Sequence, residues 1–168
     1  MKKAILLCGS NIGERENQLL LSQTLLELGG QLNILKISSL YETAPWGDRE
    51  QSAFLNQALL IETSLSPMEL LHHLKDIEIK AGRVNTRKWG PRALDIDILY
   101  YGDDVIIEEN TLCIPHAEVQ NRAFALVPAA EIAPHWIDPR NGKTIAELCV
   151  LCPDSLPVKK LALTGDAI

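Results

Sequence analysis

Between Leu94 and Ile98 the chain alternates strictly: Leu94, Ile96 and Ile98 are aliphatic, and Asp95 and Asp97 are acidic. A period of two sends successive side chains to opposite faces of a strand. The segment therefore reads as a half-buried strand, with its aliphatic side chains in a core and both carboxylates on the other face. Along a strand two such residues stand about 6–7 Å apart. Immediately upstream lie Arg83, Arg87, Lys88 and Arg92, with no acidic residue between Gly82 and Leu94. Paired hard oxygen ligands suit Mg²⁺, which uses one or two carboxylates and fills its other positions with water and phosphate oxygens. Guanidiniums beside such a pair clamp further phosphate oxygens. The plainer alternative is an exposed strand face next to a solvated basic loop. Trp89 within that charged loop, followed by the Gly90-Pro91 turn, favours a built site.

At 168 residues the chain reads as a single domain over 1–168, with a core over about 3–130 and a C-terminal extension over 131–168. The net charge of −6 argues against a nucleic-acid partner and leaves the basic loop as a local exception. A small anionic ligand fits that pattern better than an extended polyanion. The apolar run in Met1–Cys8 is too short for a secretory leader and runs into Gly9-Ser-Asn without a small-residue cleavage pattern. No stretch approaches the roughly 18 apolar residues of a membrane span. A cytoplasmic protein with no membrane partner is expected. Cys149-Val-Leu-Cys152 has the spacing of a metal or redox pair but lacks a second pair, so reduced thiols without a role are expected for the four cysteines.

Taken in order, Lys3–Cys8 reads as a buried strand and Gly9–Gly13 as a turn. The turn lacks the Gly-Lys-Ser/Thr of a nucleotide-binding phosphate loop. Glu14–Leu28 reads as a helix whose core stripe is Leu21, Leu25 and Leu28, ended by Gly29-Gly30. Strands follow over Asn33–Tyr41 and Phe54–Ile61, separated by a polar loop carrying Trp46. Ser66-Pro-Met-Glu69 is a capping box with proline at the first helical position. It opens a helix to Ala81 with an apolar stripe of Leu70, Leu71, Leu74 and Ile77, and with His72 and His73 at the surface. Leu94–Tyr101 is the fourth strand. Val105–Ile107 is a short extension, Ile114–Arg122 is irregular, and a helix runs from about Asn121 to Glu131. Prolines 134, 139, 153 and 157 mark loops and short helices, and Lys159–Ile168 reads as weakly ordered. The order β-α-β-β-α-β is that of an α+β, ferredoxin-like domain with one antiparallel four-stranded sheet, helices on one face and C-terminal additions.

The segment Lys88-Trp-Gly-Pro-Arg-Ala-Leu-Asp-Ile-Asp-Ile98 strongly resembles the signature of the 6-hydroxymethyl-7,8-dihydropterin pyrophosphokinases, enzymes of folate synthesis. The resemblance runs from about Ala4 to Pro128 and supports the strand order of the ferredoxin-like plan. It implies transfer of pyrophosphate from ATP to the hydroxymethyl group of the pterin, giving AMP, with two Mg²⁺ ions on Asp95 and Asp97. It further implies charge neutralisation by Arg83 and Arg92 and closure of the loop carrying Trp89 over the substrates. For ATP it implies a site made by Leu71, Lys75, Glu78, Arg83, Trp89, Arg92, Ile98, His116 and Arg122. For the pterin it implies stacking between Phe54 and Phe124, an edge read by Asn56, and contacts from Thr43, Pro45 and Trp46. A monomer is expected. Ala44, Trp46, Thr111 and Ala117 depart from the family pattern, and the segment between Gly82 and Trp89 is one residue shorter. Two other classes share parts of the pattern. A Mg²⁺-dependent phosphohydrolase would use Asp95 as nucleophile and would not need the aromatic pair. A silent nucleotide-binding module would not need Asp95, Asp97, Arg83 and Arg92 together.

Overall fold

The apolar run near the N-terminus becomes the central strand. In the computed structural model, which describes residues 1–44, 52–82 and 93–161, the strands are β1 (Lys2–Ser10), β2 (Leu32–Ile37), β3 (Tyr41–Thr43), β4 (Phe54–Thr63), β5 (Asp95–Tyr101), β6 (Ile106–Glu108), β7 (Leu112–Ile114) and β8 (Val158–Lys160). The helices are α1 (Arg15–Glu27), α2 (Pro67–Lys80), α3 (Ala123–Ile132) and α4 (Ile145–Leu151), with a 3-10 turn at Val119–Asn121. β1 pairs antiparallel with β4 on one side and β5 on the other, and β2 also pairs with β4. The order β5-β1-β4-β2 is the ferredoxin-like one. A two-strand extension, which makes the sheet six-stranded, departs from the four-stranded expectation. β3 pairs with the Phe54–Asn56 end of β4, and β8 pairs with β3. Strands β6 and β7 form a separate hairpin.

Helices cover both faces of the sheet, not one. Ala4, Leu6 and Cys8 of β1 pack with Leu19 and Leu26 of α1 and Leu70, Leu74 and Ile77 of α2. The alternate residues Ile5 and Leu7 pack with Leu126 and Ala129 of α3 and Ile145 and Leu148 of α4. A strand buried on both faces needs apolar side chains at every position, which is why Ala4–Cys8 is continuous instead of alternating.

Several expectations are corrected. The single strand predicted over Asn33–Tyr41 is two, β2 and β3. At the break the Ser38 N–H donates to the Ala58 carbonyl, and the Ser38 hydroxyl accepts the Ala58 N–H, both at 2.9 Å. A side-chain oxygen thus replaces a ladder carbonyl and lets the chain turn away. The buried stripe of α1 is Leu19, Ser22 and Leu26; Leu28 is 68% exposed and Leu21 also faces solvent. Both stripes have helical spacing, and Ser22 conceals the true one. Its hydroxyl donates to the Leu19 carbonyl at 2.6 Å, so a polar residue is tolerated in the core. His73 is half-buried, not at the surface. The capping box on α2 forms as read: the Ser66 hydroxyl accepts from the Glu69 N–H and the Glu69 carboxylate from the Ser66 N–H. A second capping box, Thr144 with Glu147, opens α4 in the region read as loops and short helices. Val158–Lys160, overlapping the segment read as weakly ordered, is a sheet strand.

Candidate active site

Residues in register across antiparallel strands present their side chains to the same face. Asp95 of β5 is in register with Gly9 of β1, Gly9 with Asn56 of β4, and Asn56 with Tyr41 of β3. Asp97 is in register with Leu7, whose side chain packs towards α3. Asp95, Asp97, Asn56 and, two residues before it, Phe54 therefore occupy the α3 side of the sheet. The helices α1 and α2 lie on the other side. The paired aspartates share a face as their spacing predicts, and both are half-buried.

Gly9 makes this row possible. A Cβ on it would stand 2.6 Å from Asn56 Oδ1 and 3.7 Å from Phe54 Cδ1. No side chain fits there unless the Asn56 amide moves. That amide is held from its other side, where Nδ2 donates to Thr43 Oγ1 at 3.2 Å, and Asn56 is only 4% exposed. In the sequence Gly9 reads only as the start of a turn. The available signal was a glycine ending an apolar strand, which commonly marks a close approach to the backbone.

His116, Arg122 and Phe124 enter from the segment leading into α3. The His116 N–H donates to the Leu99 carbonyl of β5 at 3.0 Å, which ties the segment to the aspartate strand. Its ring Nδ1 accepts the Glu118 N–H at 3.1 Å, which leaves the proton of the neutral ring on Nε2. Burial, followed by the charge of Arg122, pushes the His116 pKa down to about 4, against the opposing pull of Asp95 and Glu118. The imidazole is therefore neutral near pH 7. Burial also lowers the Arg122 pKa, against the attraction of Asp97, Glu118 and Asp95. The Arg122 guanidinium carbon lies 5.6 Å from the Phe124 ring centroid. One cation, one neutral imidazole and two carboxylates thus act on each other over one face of the sheet.

On the far side, Glu78 of α2 is 4% exposed, and its Oε2 accepts the Ile96 N–H at 2.8 Å. Ile96 lies between the two aspartates. Leu71 packs half-buried on the core, Ile98 is buried in it, and Lys75 is exposed on α2. Pro45, Trp46, Arg83, Trp89 and Arg92 lie outside the described residues. Among the described residues no three His, Cys, Asp or Glu side chains converge as a metal cage, and no helix is long and apolar enough to cross a membrane.

The family described as 7,8-dihydro-6-hydroxymethylpterin-pyrophosphokinase matches residues 5–134. The chain is 43% identical over 145 residues to the 2-amino-4-hydroxy-6-hydroxymethyldihydropteridine pyrophosphokinase of Synechocystis, covering 86% of this chain and 73% of that one. It is 38% identical over 159 residues to the Haemophilus influenzae enzyme of the same name, covering 95% and 98%. Among solved structures, an HPPK-DHPS in complex with substrates superposes with a TM-score of 0.73 at 16% identity. That match covers 89% of this chain and 43% of the longer one, and the likeness is one of fold. Matched along most of its length, the chain belongs to the 7,8-dihydro-6-hydroxymethylpterin-pyrophosphokinase family, the enzymes that transfer a pyrophosphoryl group from ATP to hydroxymethyldihydropterin in folate synthesis.

Proposed function

We propose that the α3 side of the sheet is where this transfer takes place, with the pterin held at the Asn56 end of the row and the ATP phosphates at the Asp95 end. The observation that carries this reading is the register Asp95–Gly9–Asn56 across adjacent strands. It puts a pair of carboxylates and a buried amide on one surface with only a glycine between them. Asn56 offers both a donor and an acceptor to a heterocycle edge, and its bond to Thr43 sets which way the amide points. Phe54 and Phe124 supply flat apolar faces suited to stacking on a planar ring.

Asp95 and Asp97 fit Mg²⁺. They are two carboxylates on one strand face, with no third protein ligand among the described residues to complete a cage. Coordination positions therefore remain for phosphate oxygens and water. Asp95 and Asp97 would hold the two Mg²⁺ ions, which when bound would supply positive charge against the phosphates and would make the attacking hydroxyl more acidic. Arg122, paired electrostatically with both aspartates, holds positive charge beside the phosphates. His116 donates from Nε2 as a neutral group, so it binds an oxygen without adding charge. Glu78 acts from the opposite side of β5 and fixes the peptide that joins the aspartates. Ile98, with its side chain in the core, meets a nucleotide through its backbone. Arg83, Arg92 and Trp89 keep the roles that the resemblance gives them: charge neutralisation by the arginines and exclusion of water by the closing loop.

In the reaction the pterin hydroxymethyl oxygen forms a bond to the β-phosphorus. The bond from that phosphorus to the oxygen bridging to the α-phosphorus breaks, AMP leaves, and the hydroxyl proton is released. All the side chains named come from one chain, so a monomer suffices; sedimentation of the purified protein tests this.

The test of the site is substitution at its two ends. Asp97→Asn should abolish formation of AMP and pterin diphosphate while a bound pterin is still detected by its fluorescence. Asn56→Ala should lose pterin binding while Mg²⁺-dependent binding of an ATP analogue persists. Free phosphate released from ATP without pterin would instead support a phosphohydrolase.

A further inference from the structure

The turn between β1 and α1 grips both ends of the chain that carries the pterin edge. Asn11, buried in this turn, donates from Nδ2 to the Ser52 carbonyl at 3.1 Å. Arg15, the first residue of α1, donates from Nη1 to the Ala53 carbonyl at 3.0 Å. Its Nη2 meets the Glu42 carboxylate at 2.8 Å. Ser52 and Ala53 lead directly into Phe54 and Asn56, and Glu42 stands between Tyr41 and Thr43. Glu42 is in register with Leu55, whose side chain packs in the α1 side of the core. The Arg15 fork therefore grips β3 and the residue leading into β4 from behind, on the opposite side of the sheet from Asn56 and Thr43.

Helix stability gives no reason for this arginine. A cation at the first position of a helix opposes the helix dipole, and α1 begins at Glu14 without any side-chain cap. The Arg15–Glu42 pair is about one-third exposed on each side, and such pairs add little to global stability. What the guanidinium does add is geometry. Its planar fork donates in two fixed directions at once, here to β3 and to the residue just before β4.

We infer that Arg15, supported by Asn11, is a positioning residue for pterin binding. By holding Ala53 and Glu42 in one plane it sets the separation of Thr43 from Asn56, and so the aim of the Asn56 amide. The inference rests on the pterin-site reading above.

The experiment uses the full chain and follows fluorescence of 6-hydroxymethylpterin in the presence of Mg²⁺ and a non-hydrolysable ATP analogue. Binding of the analogue is measured separately, and thermal unfolding is recorded for every variant. Because small misplacements at a distance from the chemistry carry large costs, Arg15→Met should weaken pterin binding about tenfold while leaving nucleotide binding within about twofold. Its melting temperature should match the parent. Arg15→Lys, which reaches only one of the two partners, should recover part of the loss. Glu42→Gln, which leaves the Ala53 bond in place, should lose less than Arg15→Met. Unchanged pterin affinity in Arg15→Met overturns the inference, as does equal weakening of both ligands. Asn56→Ala separates the two levels. If it abolishes pterin binding and Arg15→Met does nothing, the positioning role alone falls. If it leaves pterin binding intact, the site reading falls and this inference with it.

Discussion

Glu78 accepts the Ile96 N–H at 2.8 Å from behind the strand whose two neighbouring residues, Asp95 and Asp97, face the other way. Among the described residues β5 is the end strand of the sheet, and no described strand pairs with the Ile96 N–H on that side. A buried carboxylate replaces the missing strand. Glu78→Ala should leave that N–H buried without its acceptor, at a cost of about 1–3 kcal/mol measured by urea unfolding. Glu78→Gln retains an acceptor and should lose less stability. Both should weaken the dependence of activity on Mg²⁺ concentration more than they alter pterin affinity; a shift confined to the pterin would contradict the placement.

Gly9→Ala tests the close approach across the row. With a Cβ 2.6 Å from Asn56 Oδ1, the amide must swing away from the sheet. Pterin affinity should fall roughly ten- to a hundredfold, the usual cost of a reading group displaced by about an ångström. Nucleotide affinity should change little. A fluorescence titration of the pterin that matches the parent would show that the amide is not held against Gly9.

The pH dependence of stability carries the mark of His116. Its pKa falls from 6.5 to about 4 on folding. Between those values the unfolded chain binds the proton and the folded one does not, so stability falls as pH drops from about 6.5 towards 4. Above 6.5 the contribution is fully present. His116→Asn should flatten this slope, seen as a smaller difference between urea midpoints at pH 7 and pH 5. An undiminished slope would assign the acid sensitivity to other groups.

Asp138 is fully buried and accepts from the Tyr100 hydroxyl at 2.9 Å and from the Arg140 guanidinium at 2.7 Å. Burial alone would raise its pKa, but the bonds from Arg140 and Tyr100 hold it below the usual carboxylate range. The cluster fastens the segment between α3 and α4 to β5. Asp138→Ala leaves the buried Tyr100 hydroxyl without its acceptor, at a cost of about 1–3 kcal/mol, while the partly exposed Arg140 guanidinium turns to solvent. Thermal unfolding should show a large drop in Tm. A drop no larger than for an exposed acidic residue such as Asp103 would mean that the pair is not holding the segment.

The order of elements was legible in the sequence because each leaves a local trace. Ser66 and Glu69 announce the start of α2, and the alternation of Leu94–Ile98 announces β5 and the common face of Asp95 and Asp97. The continuous run Ala4–Cys8 marks a buried strand, but not that helices cover both of its faces. Equal spacings competed in α1, and packing against β1 selected Leu19, Ser22 and Leu26 over Leu21 and Leu28, with Leu25 packing half-buried on the core as expected. The break at Ser38, the docking of Val158–Lys160 on β3 and the grip of Arg15 on Glu42 and Ala53 are contacts between distant segments. Periodicity records how a segment faces its surroundings but not which segment it faces. The chemistry of the aspartate pair was therefore determined locally. The row from Asp95 through Gly9 to Asn56 was decided by strand register, which long-range burial of the shared core sets.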